Sequence, residues 1–177
     1  MKNARYCAFL RGVNVKGTNM KMAEVCAVFE KVGMEKVSSV LASGNILFSS
    51  EKKEAELKND LEKAMSEYFK YEAFLFVKNQ KKIEAIVANN PFGTHPDYHI
   101  YGFVGIDGVE DTLLSEYEKS KQVEGEEATI VNDNFYWKVP KGNTLGSEFG
   151  NILGRKKLKA VFTSRNLNTL EKIIKKM

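Results

Sequence analysis

The sequence predicts an α+β fold with antiparallel sheets, and two observations lead to it. Short apolar runs rich in aromatic and β-branched residues alternate with stretches whose apolar residues recur at helical spacing. Over the first 78 residues these patterns follow the order β-α-β-β-α-β, which is that of a ferredoxin-like, split β-α-β unit. The remainder repeats β-α-β-β-α in outline, so we expect two ferredoxin-like halves.

The first half contains the more regular patterns. Residues 5–11 are apolar on both faces, which is typical of a strand covered on two sides. Gly33 can end the helix that follows, because glycine adopts left-handed backbone angles without penalty. Ser43-Gly44-Asn45 lies between two β-branched runs and predicts a hairpin turn. The predicted elements are a strand at 5–11, a helix at 21–32, strands at 36–41 and 46–48, a helix at 54–70 and a strand at 73–77.

A connecting helix and a linker precede the second half. The helix contains Ile83, Ile86 and Val87 and stops at Asn90-Pro91, since a residue before proline is disfavoured in helical geometry. The predicted domains are 1–78, a connector at 79–98, and a second α+β half at 99–177 with a basic C-terminal helix. The second half is expected to contain a strand at 99–105, a helix around 113–117, a hairpin of 128–132 and 135–139, a short helix near 145–153 and a terminal helix at 167–177.

Composition excludes several classes of protein. The chain has 177 residues, 43% of them hydrophobic and 28% charged, which suits a globular domain with a core of its own. It has no apolar run near the roughly 20 residues that a membrane helix needs. The N-terminus lacks a signal-peptide pattern, so we expect a cytoplasmic protein. Cys7 and Cys26 lie in apolar patterns and are expected to be reduced, buried residues.

Charge is unevenly distributed along the chain. From Lys141 onward there are nine Lys and Arg residues and two acidic residues, a net +7, whereas the whole chain carries +4. This asymmetry favours an anionic partner, which could be a small molecule or a nucleic-acid backbone. A solvated face whose lysines maintain solubility is the alternative.

The segment from Arg11 to Gly17 follows the first predicted strand and precedes a helix. It lacks the ending of a phosphate-binding P-loop and the glycine spacing of a dinucleotide fold. Its arginine, its asparagine and its glycine-flanked backbone amides could nevertheless cradle an anion. Alternatively, Asn14 closes a turn through its own backbone and Arg11 pairs with an acid.

A second polar segment, Thr163 to Asn166, is expected as a loop before the terminal helix. Its Thr, Ser and Asn side chains could cap that helix. Arg165 is unfavourable beside the positive end of a helix dipole unless an anion or carboxylate lies nearby. This mismatch indicates a second cationic contact.

Patterns for other chemistries are weak. His95, Asp97 and His99 alternate in the linker, but they lack the spacing of known metal sites, and we expect no metal. The chain contains no nucleophile-elbow signature, and no carboxylate pair can be singled out as catalytic. We therefore expect no catalytic residue and no cofactor.

Several of these segments together resemble a known family. Arg11-Gly12-Val13-Asn14-Val15-x-Gly17, Met22, Ser43-Gly44-Asn45 and Thr163-x-Arg165-Asn166-x-Asn168-Thr169 occur in the order seen in the bacterial family called domain of unknown function 1697. The resemblance covers nearly the whole chain. It implies a compact α+β fold of ferredoxin-like halves in a cytoplasmic bacterial protein, and no assigned reaction. It also implies that the polar residues of three distant segments form one recurring set.

We therefore expect a non-catalytic protein that binds a phosphate- or carboxylate-bearing ligand at a cleft between the halves, through bidentate arginine contacts. The predicted ligand-binding residues are Arg11, Asn14, Ser43, Asn45, Arg165 and Asn166. One alternative is an enzyme acting on an anionic small molecule, with the arginines as electrostatic stabilisers. Another is a protein-interaction module whose polar motifs brace the halves. The sequence predicts no membrane partner and leaves the oligomeric state undetermined.

Overall fold

The computed structural model of the chain describes residues 3–13 and 19–177. These residues contain two four-stranded antiparallel sheets with interleaved helices, which confirms the predicted α+β class with two similar halves. The chain divides into two compact units. One unit comprises the residues up to Ile83 together with Lys172–Met177, and the other comprises Glu84–Glu171.

The first unit follows the predicted order of elements. Its sheet has the strand order β2-β3-β1-β4, with every neighbouring pair antiparallel. The predicted hairpin is present as β2 and β3. The elements are β1 (Ala4–Arg11), α1 (Met22–Lys31), β2 (Glu35–Ser39), β3 (Asn45–Ser50), α2 (Glu54–Phe69), β4 (Phe74–Asn79) and α3 (Gln80–Ala88), the last of which runs on into the second unit.

β1 is the central strand that its apolar pattern predicts. It pairs with β3 along one edge and with β4 along the other, and Cys7, Ala8 and Phe9 are completely buried. One face packs against α1 and α2 through a core that includes Phe29 and Leu61. The strand therefore fixes where Arg11, its last residue, lies.

The second unit has the same strand order when its strands are numbered from its own start. The sheet runs β6-β7-β5-β8, again with antiparallel neighbours, and its core surrounds Trp137 and Phe149. A short 3-10 helix at Lys156–Leu158 precedes the last strand. The elements are β5 (Tyr98–Gly105), α4 (Val109–Lys119), β6 (Glu127–Val131), β7 (Asn134–Pro140), α5 (Glu148–Leu153), β8 (Phe162–Asn166) and α6 (Leu167–Lys176), the last of which belongs to the first unit from Lys172 onward.

The expectation of a loop at Thr163–Asn166 is wrong. These residues belong to β8, which pairs with β5 from Gly105↔Phe162 to Tyr101↔Asn166. Phe162 contributes to the core, whereas the rest of the strand is polar, so the apolar run that marks the other strands is missing. Pairing with a distant strand determines the structure of this segment.

No helix within residues 3–13 and 19–177 combines the length and the apolar character that a membrane crossing requires.

Candidate functional site

Two of the three predicted polar segments meet in the first unit. The amide of Leu10, at the end of β1, donates a 2.8 Å hydrogen bond to the carbonyl of Gly44. Gly44 has φ +84°, and a Cβ atom built on it would lie 2.9 Å from Leu10 Cβ and 2.9 Å from Val13 Cγ1. The Ser43–Asn45 turn is therefore pressed against the start of the Arg11 segment, at a distance that only glycine permits.

The side chains of this turn are engaged within it. Asn45 is completely buried, and its Nδ2 donates to the carbonyl of Val40 and to Oγ of Ser43, both at 2.9 Å. Arg11 is half-buried, and this burial lowers the pKa of its guanidinium group. The predicted binding residue Asn14 lies outside the described residues. The side-chain amide of Asn45 and the hydroxyl of Ser43 thus stabilise the turn.

Arg165 lies in the second unit and is 8% exposed. Its Nη1 donates to Oγ1 of Thr163 at 2.9 Å and to the carbonyl of Ser164 at 2.8 Å. It pairs across the sheet with Gly102, and a side chain at Gly102 would meet Ile86 and Leu167. Because cross-strand partners share a face, Arg165 points to the face of the sheet that residues of α3 and α6 cover.

Asn166 points to the opposite face, since successive residues of a strand alternate. Its Oδ1 accepts a 3.0 Å hydrogen bond from the amide of Asn168, so it caps α6, as one sequence interpretation predicted. Its Nδ2 lies 3.1 Å from Nδ1 of His99. The side chains of Arg165 and Asn166 therefore lie on opposite faces of the sheet, although the two residues are adjacent in sequence. The convergence of all the predicted segments on one cleft stays a prediction.

A pocket of about 230 Å³ in the second unit contains Asn166 in its wall. It is bounded by the linker before β5, the start of α6 and the residue after β7. Lys141 lies in the pocket wall because its backbone amide donates a 2.9 Å hydrogen bond to the carbonyl of Asp97. This bond holds the end of β7 against the linker. The lining residues are Asn90, Gly93, Thr94, His95, Pro96, Tyr98, His99, Ile100, Lys141, Asn166, Leu167, Asn168 and Glu171.

Sequence reasoning did not assign three of these residues to a site. His95 and His99 stood out as the two histidines of the chain, but we weighed them only as metal ligands. Lys141 is more than forty residues further along, and only the pairing of β5 with β7 brings it to them. Within the part of the chain that is described, no three His, Cys, Asp or Glu side chains are placed to hold a metal ion.

A second pocket, of about 290 Å³, lies between α4 and the 3-10 helix of the same unit. Ile106, Val109 and Leu158 give it apolar walls, and Glu116 and Lys157 bring opposite charges. The carboxylate of Glu116 is 3.9 Å from the Lys157 amine. The basic group of this pocket thus has an acidic neighbour, so the pocket beside Asn166 is the better candidate for an anion.

Comparison with known proteins agrees with this architecture. The chain matches a solved structure described as that of conserved bacterial protein SP0830 from Streptococcus pneumoniae, with a TM-score of 0.78 and 23% identity over 98% of each chain. At this identity the likeness shows the fold. No curated protein matches the sequence. The model of the family described as "Protein of unknown function (DUF1697)" matches residues 3–136, about three quarters of the chain and including both histidines. The chain therefore belongs to the DUF1697 family of proteins of unknown function.

Proposed function

We propose that this protein is a non-catalytic binder of a small phosphate- or carboxylate-bearing ligand, and that the ligand occupies the pocket beside Asn166. The observation that carries the proposal is the composition of the pocket wall, where Lys141, His95 and His99 accompany Asn166. An amine, two imidazoles and an amide supply the charge and the N–H donors that an oxyanion needs.

The charges at the pocket support this choice. Lys141 is exposed and forms no ion pair with any residue in the described ranges, so its charge is available to a ligand. Glu171 is the acidic residue of the wall, and because Glu171 and Lys141 are both exposed, water and salt screen both charges. A volume of about 230 Å³ is below the usual 300–1,000 Å³ of drug-sized sites, which favours a small anion or the anionic end of a larger molecule.

Two of the other predicted residues form their described hydrogen bonds within their own units. Asn45 and Arg165 are buried, and both donate to side-chain hydroxyls and backbone carbonyls of their own units. Replacing such buried donors leaves their partners unsatisfied, at a cost of about 1–3 kcal/mol. We propose that these two residues maintain the structure of each unit, whether or not a ligand binds.

We further propose that each half is a ferredoxin-like unit in a cytoplasmic protein. The β-α-β-β-α-β succession and the antiparallel order, which reads β4-β1-β3-β2 in the first unit, support the first part. The two cysteines are free thiols, as suits a reducing compartment.

The proposed function is tested by thermal shifts with inorganic phosphate, acetate, citrate, nucleotides, sugar phosphates and a short oligonucleotide. At a hundredfold excess over Kd, a ligand stabilises by about 2.7 kcal/mol, or about 5–10 °C in Tm for a chain of this size. We expect Lys141→Met to lose most of the shift, because it removes the cation of the pocket wall.

Lys156→Met is the matched control. It removes the same charge from an exposed lysine that does not line the pocket, so it should keep the shift. An equal loss in both variants would instead indicate non-specific attraction to the basic C-terminal region, and a shift only with the oligonucleotide that vanishes near about 0.5 M salt would favour the nucleic-acid alternative.

A further inference from the structure

We infer that both histidines of the pocket are held as the Nε2–H tautomer, so that they act as a pair of hydrogen-bond donors to an unprotonated oxyanion. This inference extends the proposed function by assigning roles to His95 and His99. The assignment rests on the partners of their Nδ1 atoms.

His95 has an unambiguous partner. The backbone amide of Asp97 donates to Nδ1 of His95 at 3.1 Å, and a backbone N–H can only donate. Nδ1 of the neutral ring must therefore be the acceptor, and the ring proton is on Nε2. The ring also packs edge-on against Tyr98 with centroids 4.7 Å apart, which restricts its rotation.

The tautomer of His99 follows from one further step of the same reasoning. The side-chain amide of Asn166 faces two groups, the backbone amide of Asn168 and Nδ1 of His99. Because the amide of Asn168 donates, the atom of Asn166 that it meets must be the oxygen Oδ1. The NH₂ group of Asn166 then faces His99 at 3.1 Å and donates to Nδ1. His99 consequently carries its proton on Nε2 as well.

These assignments argue against a general-base role for either histidine. The lone pair of a neutral imidazole is the group that would accept a proton from a substrate, and in both rings an N–H already occupies it. Neither histidine is thus free to act as a general base, whereas the Nε2–H of each has no hydrogen-bond partner among residues 3–13 and 19–177 and is left for a ligand. The proposal assigns the oxygens of a phosphate or carboxylate to these donors, with Lys141 of the same pocket wall supplying the charge. Asn166 is in this sense a positioning residue, acting through His99.

The test is nuclear magnetic resonance of protein labelled with ¹⁵N-histidine, at a slightly alkaline pH where ordinary imidazoles are neutral. Only two rings contribute signals, and a His95→Gln variant assigns them. We expect long-range ¹H–¹⁵N correlations to show an unprotonated Nδ1 and a protonated Nε2 in both rings. A protonated Nδ1, or averaged tautomers in either ring, would overturn the inference.

Asn166→Asp reverses one tautomer selectively. The carboxylate can still cap α6 by accepting from Asn168, but its second oxygen only accepts, so His99 should move its proton to Nδ1. His95 should keep its tautomer and serves as the internal control. If His99 also keeps its tautomer in this variant, Asn166 does not position it.

Asn168→Asp is the matched control for charge, since it adds the same negative charge to the pocket wall and leaves Asn166 unchanged. We expect inorganic phosphate to shift the Nε2 signals of the wild type, and Asn166→Asp to weaken phosphate binding by about tenfold more than Asn168→Asp, the equivalent of one charge-assisted hydrogen bond. If the tautomers are as assigned but neither phosphate nor any other anion of the thermal-shift panel shifts the Nε2 signals, the proposed function is overturned and the positioning role of Asn166 is left intact.

Discussion

At the scale of single residues, the buried hydroxyl of Tyr136 shows how one polar atom contributes to the fold. It donates a 2.6 Å hydrogen bond to the carbonyl of Ile86, in the last turn of α3, where helical carbonyls lack intrahelical partners. Tyr136→Phe keeps the ring in the core and leaves this carbonyl unsatisfied. We expect the free energy of unfolding to fall by about 1–3 kcal/mol, measured by urea denaturation.

Tyr71→Phe provides the contrast in the same assay. The hydroxyl of Tyr71 is buried and has no hydrogen-bond partner among residues 3–13 and 19–177. Removing a desolvated hydroxyl without a partner should leave stability unchanged or raise it by up to about 1 kcal/mol. If both variants lose the same amount of stability, the loss does not come from the Tyr136 hydrogen bond.

The site residues show what a sequence can reveal at this scale. Asn45 belongs to a predicted hairpin turn and Asn166 to the segment predicted to cap the terminal helix, and the side chains of both form hydrogen bonds at these places. Residue type and local position are enough to identify such capping and turn-closing groups. Lys141 could not be placed with His95 and His99, because the strand pairing that joins them links residues far apart in sequence.

At the scale of elements, the turn before β3 depends on Gly44. Gly44→Ala places a left-handed non-glycine residue in the turn and brings its Cβ within 2.9 Å of both Leu10 and Val13. The backbone strain costs about 1–2 kcal/mol and the overpacking about 1–3 kcal/mol, so we expect a total loss of roughly 2–5 kcal/mol. Thermal or urea unfolding measures this change.

Gly33→Ala separates the two contributions. Gly33 has a similar φ, +89°, just after α1, but a Cβ there would meet nothing within 4 Å. It should therefore lose only the part due to backbone strain. Equal losses for the two variants would mean that the contact between the turn and the end of β1 does not constrain Gly44.

The predicted strands have a local sequence pattern that the missed strand, β8, lacks. β1 and β4 contain continuous apolar runs because they are buried, and β3 lies in a hairpin whose turn residues are local. β8 contains Thr163, Ser164 and Arg165, which satisfy polar contacts of their own. Its extended structure comes from pairing with β5, some sixty residues earlier, and no local pattern carries that information.

At the scale of the whole molecule, the order of elements was sufficient to predict the fold class. The six predicted elements of the first half and the repeated outline of the second predicted antiparallel sheets. The structure contains two such sheets, and their strand orders are equivalent. A helical crossover preserves the direction of the next strand and a hairpin reverses it, so β3 and β4 both run opposite to β1 and pair with it antiparallel on its two sides. The position of the pocket did not follow in the same way, since it depends on where loops of the folded unit meet.

Alkaline pH should destabilise the protein because buried tyrosines ionise, and Tyr136→Phe isolates the contribution of one of them. Burial raises the pKa of Tyr71, Tyr117 and Tyr136 to about 12 from an ordinary value of 10, and nearby carboxylates add to the effect at the first two. A tyrosine whose pKa is raised in the folded state stabilises that state fully below pH 10, because the unfolded chain ionises first above it. The contribution is lost as the pH rises from about 10 to 12.

Tyr136→Phe should therefore be less stable than the wild type at neutral pH and approach it as the pH rises through this interval. Lysines and the other tyrosines ionise in both proteins, so their effects cancel in the difference between the two curves. Urea unfolding at closely spaced pH values measures that difference. A constant difference up to pH 12 would mean that the Tyr136 phenol ionises equally readily in the folded and unfolded chains, in contradiction to its burial and its hydrogen bond to Ile86.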